Sequence, residues 1–272
     1  MTEPHAAQDR WETANLHVYW QGEERTFPVP FRPEEATLLD LLPAARELTG
    51  QATAAAIEGA RAAGREVSCR AGCGACCRQL VAISVVEAGA LAEVVASMPP
   101  ERQAIIRARF ADAARRLEAA GLLDPNAPRG DRTVQARDLG SRDLTLRELG
   151  QRYFALEIAC PLLEDESCGI HPERPLVCRE HHVTTPAENC ARLYQVSVDR
   201  LEPPVRVGEA LTRAADRVAG VGPWMIPLVL SLEWAEAHLA ELRRPHDGLP
   251  LLRTLMAEID RDCERPFDRR ES

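Results

Sequence analysis

The sequence predicts a mainly α-helical protein, an irregular helical domain built around a cysteine metal cluster, with a short N-terminal β-hairpin. Three observations predict it. The long segments are rich in Ala, Leu, Arg and Glu, which suit helix interiors, and aromatic residues make up only 4% of the chain. Apolar residues recur at helical spacing through those segments, whereas strand-like alternation is confined to the first thirty or so positions. Nine cysteines are present, four of them inside residues 69–77.

Leu16, Val18 and Trp20 alternate with polar or half-polar residues, Gly22 opens a turn, and Thr26, Phe27 and Val29 follow, which predicts the hairpin. From Ala36 to Ala63 the spacing of Leu38, Leu42, Ala45, Leu48, Ala52 and Ile57 is helical, with Pro43 marking a start or kink and Gly64 the end. Ser84 and Glu87 form a capping box ahead of a helix near 84–97, and Pro99-Pro100 separates it from a second helix near 100–120. Residues 121–142 are dense in Gly, Pro, Asn and Asp and read as loop. A helix near 143–158 then leads into the second cysteine block. From Gly208 onward helical patterns alternate with Gly-Pro breaks and end in a charged tail, Arg261 to Ser272. We expect three parts: hairpin and helix over 1–64, the cysteine cluster domain over 65–200, and C-terminal helices over 201–272 packed on the same core.

Composition excludes several functions. With a formal net charge of -9, the average surface repels nucleic acid and anionic membranes, so neither is an expected partner. Arg102, Arg107, Arg109, Arg115 and Arg116 look like a basic stripe, but Glu101, Asp112 and Glu118 interrupt it, and a solvated face is expected. All 33 basic residues are Arg, which rules out Schiff-base or Walker-type lysine chemistry. The acidic, polar start from Met1 to Trp11 lacks the features of a secretory signal, and a cytoplasmic location is expected. The longest apolar stretch, Val221 to Trp234, is too interrupted to span a membrane and reads as a buried helix. In a reducing compartment an odd number of cysteines is a poor disulfide framework.

The first cysteine block reads Cys69-Arg-Ala-Gly-Cys73-Gly-Ala-Cys76-Cys77; the second comprises Cys160-Pro, Cys168-Gly, Cys178-Arg and Cys190. Thiolates two or three residues apart can reach one ion without long loop closure, and Gly72 and Gly74 let backbone amides turn toward the sulfurs. The second block has wider gaps and completes a site only if the fold brings it back to the first. Arg70, Arg78, Arg174 and Arg179 lie beside the cysteines, where guanidinium groups would offset thiolate charge. Cys263 stands alone and is set aside, leaving Cys69, Cys73, Cys76, Cys77, Cys160, Cys168, Cys178 and Cys190 as the metal ligands. Cys77 and Cys190 are the least secure by spacing. His171, His181 and His182 lie close to the second block, but eight thiolates make them dispensable as ligands.

The succession Cys69-x3-Cys73-Gly-x-Cys76-Cys77, Val81-Ala-Ile-Ser84 with Glu87, Cys160-Pro-Leu-Leu, then Cys168-Gly-Ile-His171-Pro-x-Arg174-Pro175-Leu-x-Cys178-Arg179 resembles the CxxCxxCC, or YkgJ-type, cysteine cluster family. That family is described as a zinc- or iron-chelating domain, and the resemblance covers roughly residues 65–190. It also implies a link to flagellin lysine N-methylases, although this chain has no glycine-rich loop after a strand for S-adenosylmethionine. Cys69-x3-Cys73-x2-Cys76 matches the spacing of radical S-adenosylmethionine enzymes as well. Those resemble an α/β barrel, however, and usually carry an aromatic where this chain has Ala75.

Eight thiolates would fill two tetrahedral zinc sites, and an iron-sulfur cluster also takes four cysteines, with the Cys160-Pro step resembling the end of a ferredoxin run. The split first block and the arginines favour the iron-sulfur cluster, with zinc or iron ions as the alternative. The expected function is therefore metal binding in a redox or metal-handling role. A protein-modifying enzyme related to the flagellin methylases and a structural zinc protein stand as alternatives. Metal ions are the expected partners.

Overall fold

The structure is a computed structural model that describes residues 10–20, 23–124, 126–132, 134, 145–203, 205–221 and 225–263. The N-terminal hairpin forms as expected, with β1 (Glu12–Trp20) antiparallel to β2 (Glu23–Phe31). Leu16 lies opposite Phe27 and Ala14 opposite Val29, so alternation puts Leu16, Val18, Phe27 and Val29 on one buried face. The turn at Gly22 falls outside the described residues.

A 3-10 turn, Leu38–Leu41, leads into α1 (Leu42–Ala62); Pro43 sits in the first turn, where it removes no helical hydrogen bond. Gly64, at φ 73°, takes the left-handed conformation just past the end. α2 (Val85–Ala96) starts at the capping box, and Pro99-Pro100 separates it from α3 (Pro100–Ala119). α4 (Leu146–Ala155) begins at a second capping box, Thr145 with Glu148. α5 (Leu176–Glu180) is a short helix inside the second cysteine block. α6 (Val207–Ala219), α7 (Ser231–Leu242) and α8 (Gly248–Cys263) complete the chain, α8 running past the Arg261 boundary expected for the tail. Of Cys263 only the backbone is described.

One expectation is overturned. Residues 222–224 of the apolar stretch Val221 to Trp234 lie outside the described residues; from Ile226 to Trp234 it is largely buried but is not one helix: Ile226–Pro227 pairs with Ala82–Ile83, Leu228–Leu230 forms a 3-10 turn, and helix begins only at Ser231. Pro227 has no N–H for a helical bond and biases the residue before it toward extended backbone. The Leu228 N–H goes instead to the carbonyl of Val81, 2.8 Å away.

Helix α2 packs on α7, α6 on α8, and α1 on both β2 and α5. Val29, Leu48, Leu176, Leu211, Leu230 and Leu255 all lie in one apolar cluster, which therefore draws on the hairpin, the central segment and the C-terminal helices. One buried carboxylate and one nearly buried arginine are ion-paired across elements. Glu258, only 1% exposed, ties α8 to α6 through Arg213 (2.8 Å) and Arg217. Arg132 meets Glu233 of α7 at 2.6 Å. Among the described residues no helix is long and apolar enough to cross a membrane.

Candidate metal centre

The two cysteine blocks meet at the level of the backbone. The Cys160 N–H donates to the Cys77 carbonyl at 2.7 Å, and the Ser68 N–H to the Val183 carbonyl at 3.0 Å. Ser68 Oγ also reaches both Val183 and Thr185 carbonyls, closing the edge of the site next to Cys69. Gly74 makes the approach between the blocks feasible: a Cβ there would collide with the Glu166 carbonyl oxygen and stand 2.7 Å from Leu163 Cδ1. A glycine between Cys73 and Cys76 thus lets the first block lie flat on the Leu163–Cys168 hairpin.

That hairpin begins with a turn in which the Leu163 N–H bonds to the Cys160 carbonyl at 2.9 Å, and Leu163 then pairs with Cys168. Asp165 and Glu166 hold the tight turn at positive φ. Cys178 lies on α5, whose N-terminus is set by Glu87, 3% exposed. Glu87 accepts the Leu176 N–H at 2.7 Å with one carboxylate oxygen and the Ser84 N–H at 2.9 Å with the other. The capping box legible at Ser84 and Glu87 therefore also fastens Leu176, at the start of the helix that carries Cys178, across 89 positions of sequence.

The α3 arginines are not merely a solvated face, and that expectation is corrected. Arg102 bonds to Glu164 (2.8 Å) and to the Gly169 carbonyl (2.9 Å), Arg109 to the Leu163 carbonyl (3.0 Å), and Arg116 to the Leu156 carbonyl. Irregular backbone carries many unpaired carbonyls, and guanidinium forks from one helix face satisfy several of them at once. Arg107 and Arg115 do form surface ion pairs, with Glu236 and Asp112.

All eight cysteines of the two blocks are free thiols, and Cys190 is buried. Charge on Cys76, Cys69 and Cys73 would raise the Cys190 thiol, charge on Cys160, Cys76 and Cys168 would raise Cys178, and charge on Cys76, Cys160 and Cys178 would raise Cys77. Burial pushes the thiol of Cys160 up to about 12 and that of Cys190 up to about 11, and it raises Cys69, Cys168 and Cys178 as well. Neighbouring sulfurs add to each rise. Cys77 donates to Cys76, which favours the thiolate on Cys76 and keeps Cys77 protonated. Among the described residues no group of three or more His, Cys, Asp or Glu side chains is placed so that it could hold a metal ion. The donor set nonetheless fits a cation: buried, mutually repelling thiols are the groups that a metal converts to stable thiolates.

Of the expected charge-compensating arginines, Arg174 faces the thiols and favours the thiolates of Cys69, Cys76 and Cys168. Arg78 is instead paired with Glu166 at 2.6 Å, and Arg179 donates to the Arg174 carbonyl at 3.0 Å, so both are engaged in holding the frame. Arg200, missed from the sequence because it lies beyond the motif, acts on Cys76 and Cys190. Among the histidines, His181 reaches the site, its Nε2 3.7 Å from Cys190 Sγ and its carbonyl 4.0 Å from Cys69 Sγ. Burial lowers His181 to about 4, so the ring is neutral at pH 7. His171 pairs with Arg174 at 3.0 Å, and His182 with the Glu180 carbonyl at 3.4 Å.

A pH effect follows from the raised thiols. A group with a higher pKa folded than unfolded holds its proton more tightly in the fold, so its stabilising contribution is full below the unfolded value and fades as pH rises toward the folded one. The metal-free chain is therefore expected to lose stability from about pH 9 toward pH 11, the range opened by Cys190. Urea unfolding of chelator-treated protein across that range checks this; an unchanged midpoint would contradict the burial of these thiols.

Fold and site together define a mainly helical protein in which two cysteine blocks adjoin as a cluster of free thiols. Residues 68–196 match the model of the CxxCxxCC family, "Putative zinc- or iron-chelating domain", so the resemblance read from the motifs over 65–190 holds across that segment. No curated relative matches the chain, and no solved structure does.

Proposed function

We propose that Cys69, Cys73, Cys76, Cys77, Cys160, Cys168, Cys178 and Cys190 bind metal as an iron-sulfur cluster, with zinc or iron ions as the alternative occupant, in a redox or metal-handling role. The observation that carries the reading is the 2.7 Å bond from the Cys160 N–H to the Cys77 carbonyl, which joins two blocks separated by more than eighty residues. Burial of the thiols, with Arg174 and Arg200 facing them, supports a centre of several thiolates whose excess negative charge needs an offset. An iron-sulfur cluster bound there would supply one-electron redox chemistry; zinc would supply structural order.

Iron and acid-labile sulfide, measured on the anaerobically isolated full chain, test the proposal. Matching amounts of both are expected; zinc without sulfide would select the alternative, and protein free of either metal would defeat the reading. Cys73→Ala is expected to lower metal content and the Tm, the latter by on the order of 10 °C if about 3 kcal/mol of metal-linked stability is lost. Metal analysis beside calorimetry reads both, and full occupancy in that variant would remove Cys73 from the ligand set.

A further inference from the structure

A slot separate from the cysteines runs between α3, α7 and the loop that follows α3. Arg102 and Arg109 hold the Leu163–Cys168 hairpin on one face of α3, whereas Ala111 and Ala114, about half a turn round the helix, line two cavities of about 500 and 220 Å³. Leu123 helps to close the first cavity, and Phe110, Val229 and Leu232 help to close the second; none of the four is more than 6% exposed. The cavities share Ala111, Ala114, Arg129 and Glu233, so they form one slot with the Arg129 side chain across it. The loop is fastened to α7 at two points: Asp131 meets His238 at 2.7 Å, and Arg132 binds both oxygens of Glu233, at 3.0 and 2.6 Å.

Among the described residues of the slot the charges sort into hydrogen-bonded pairs, with one left over. Arg132 takes Glu233 and reaches Glu118 at 3.4 Å, Arg107 takes Glu236 at 3.4 Å, Arg115 takes Asp112, and Asp124 accepts the Asn126 N–H at 2.9 Å. The Arg129 guanidinium, 72% exposed, stands 3.9 Å from Glu233 and 3.8 Å from Glu236, beyond hydrogen-bond reach of either. A planar donor fork at the mouth of an apolar slot matches a carboxylate carried on an apolar body. The nearby Glu118 and Glu236 disfavour a second negative charge on the same molecule. We propose that this slot binds an amphipathic monocarboxylate, with its carboxylate on Arg129 and its apolar body against Ala114, Leu123 and Leu232. The proposal holds whether or not the cysteines carry metal.

Isothermal titration of the full chain with octanoate, and in parallel with 1-octanol, tests it. Octanoate is expected at one site with a Kd on the order of 0.1 mM, and octanol, which lacks the charge, about ten-fold more weakly. Arg129→Ala should weaken octanoate about ten-fold and leave octanol unchanged. Ala111→Phe, at an exposed helix position, should fill the slot and abolish binding of both. If that variant does not fold, the response of the two probes to Arg129→Ala decides alone. No octanoate binding by the unaltered chain, equal octanoate affinity after Arg129→Ala, or binding that survives Ala111→Phe as adventitious adsorption elsewhere would each overturn the proposal.

Discussion

Replacing Glu87 by Ala is expected to cost about 3–5 kcal/mol of stability and to release metal, through the backbone that Glu87 holds. The carboxylate is 3% exposed and takes three hydrogen bonds, from the Ser84 N–H, the Ser84 hydroxyl and the Leu176 N–H. Alanine leaves two buried backbone donors without acceptors, and each unsatisfied group costs about 1–3 kcal/mol. Leu176 opens α5, so the loss loosens the helix that carries Cys178. Glu87→Gln keeps the size but turns one acceptor into an amide, and should fall between the two. Urea unfolding and metal analysis on the same samples check both effects; a full metal complement in a destabilised Ala variant would show that Glu87 supports the fold without positioning Cys178.

Gly74→Ala is expected to weaken metal binding at least ten-fold and to lower stability by about 1–3 kcal/mol, as overpacking does at tight contacts. The new methyl would strike the Glu166 carbonyl and Leu163 Cδ1, both in the hairpin that carries Cys168. Ion pairs from Arg78 to Glu166 and from Arg102 to Glu164 oppose a local shift of that turn. The hairpin must therefore lift from the first block, separating the sulfurs. Gly59→Ala in α1 is the control, because nothing lies within 4 Å of its added methyl and helix propensity should stabilise it slightly. Competition against a chelator measures the affinity change; equal affinity in the two variants would refute the role given to Gly74.

The sequence by itself determined the local features. Alternation at Leu16, Val18, Phe27 and Val29 specified the hairpin, and the capping box at Ser84 and Glu87, the prolines and Gly64 set where helices begin and end, because these are bonds and clashes within a few residues of one another. The cysteine spacing likewise announced a chelating segment. Other features required partners distant in the chain. Val221 to Trp234 reads as helix from its apolar content, yet the partner at Val81 and the ring of Pro227 take part of it into extended backbone. The arginines of α3 read as solvated because their acceptors are carbonyls near residues 156–169, to which no side-chain pattern points. Only the tertiary structure decided that the two cysteine blocks adjoin, that Glu87 reaches Leu176, and that Arg200 and His181 face the sulfurs. Each depends on loop closure over tens of residues, which is decided by the packing of the whole core.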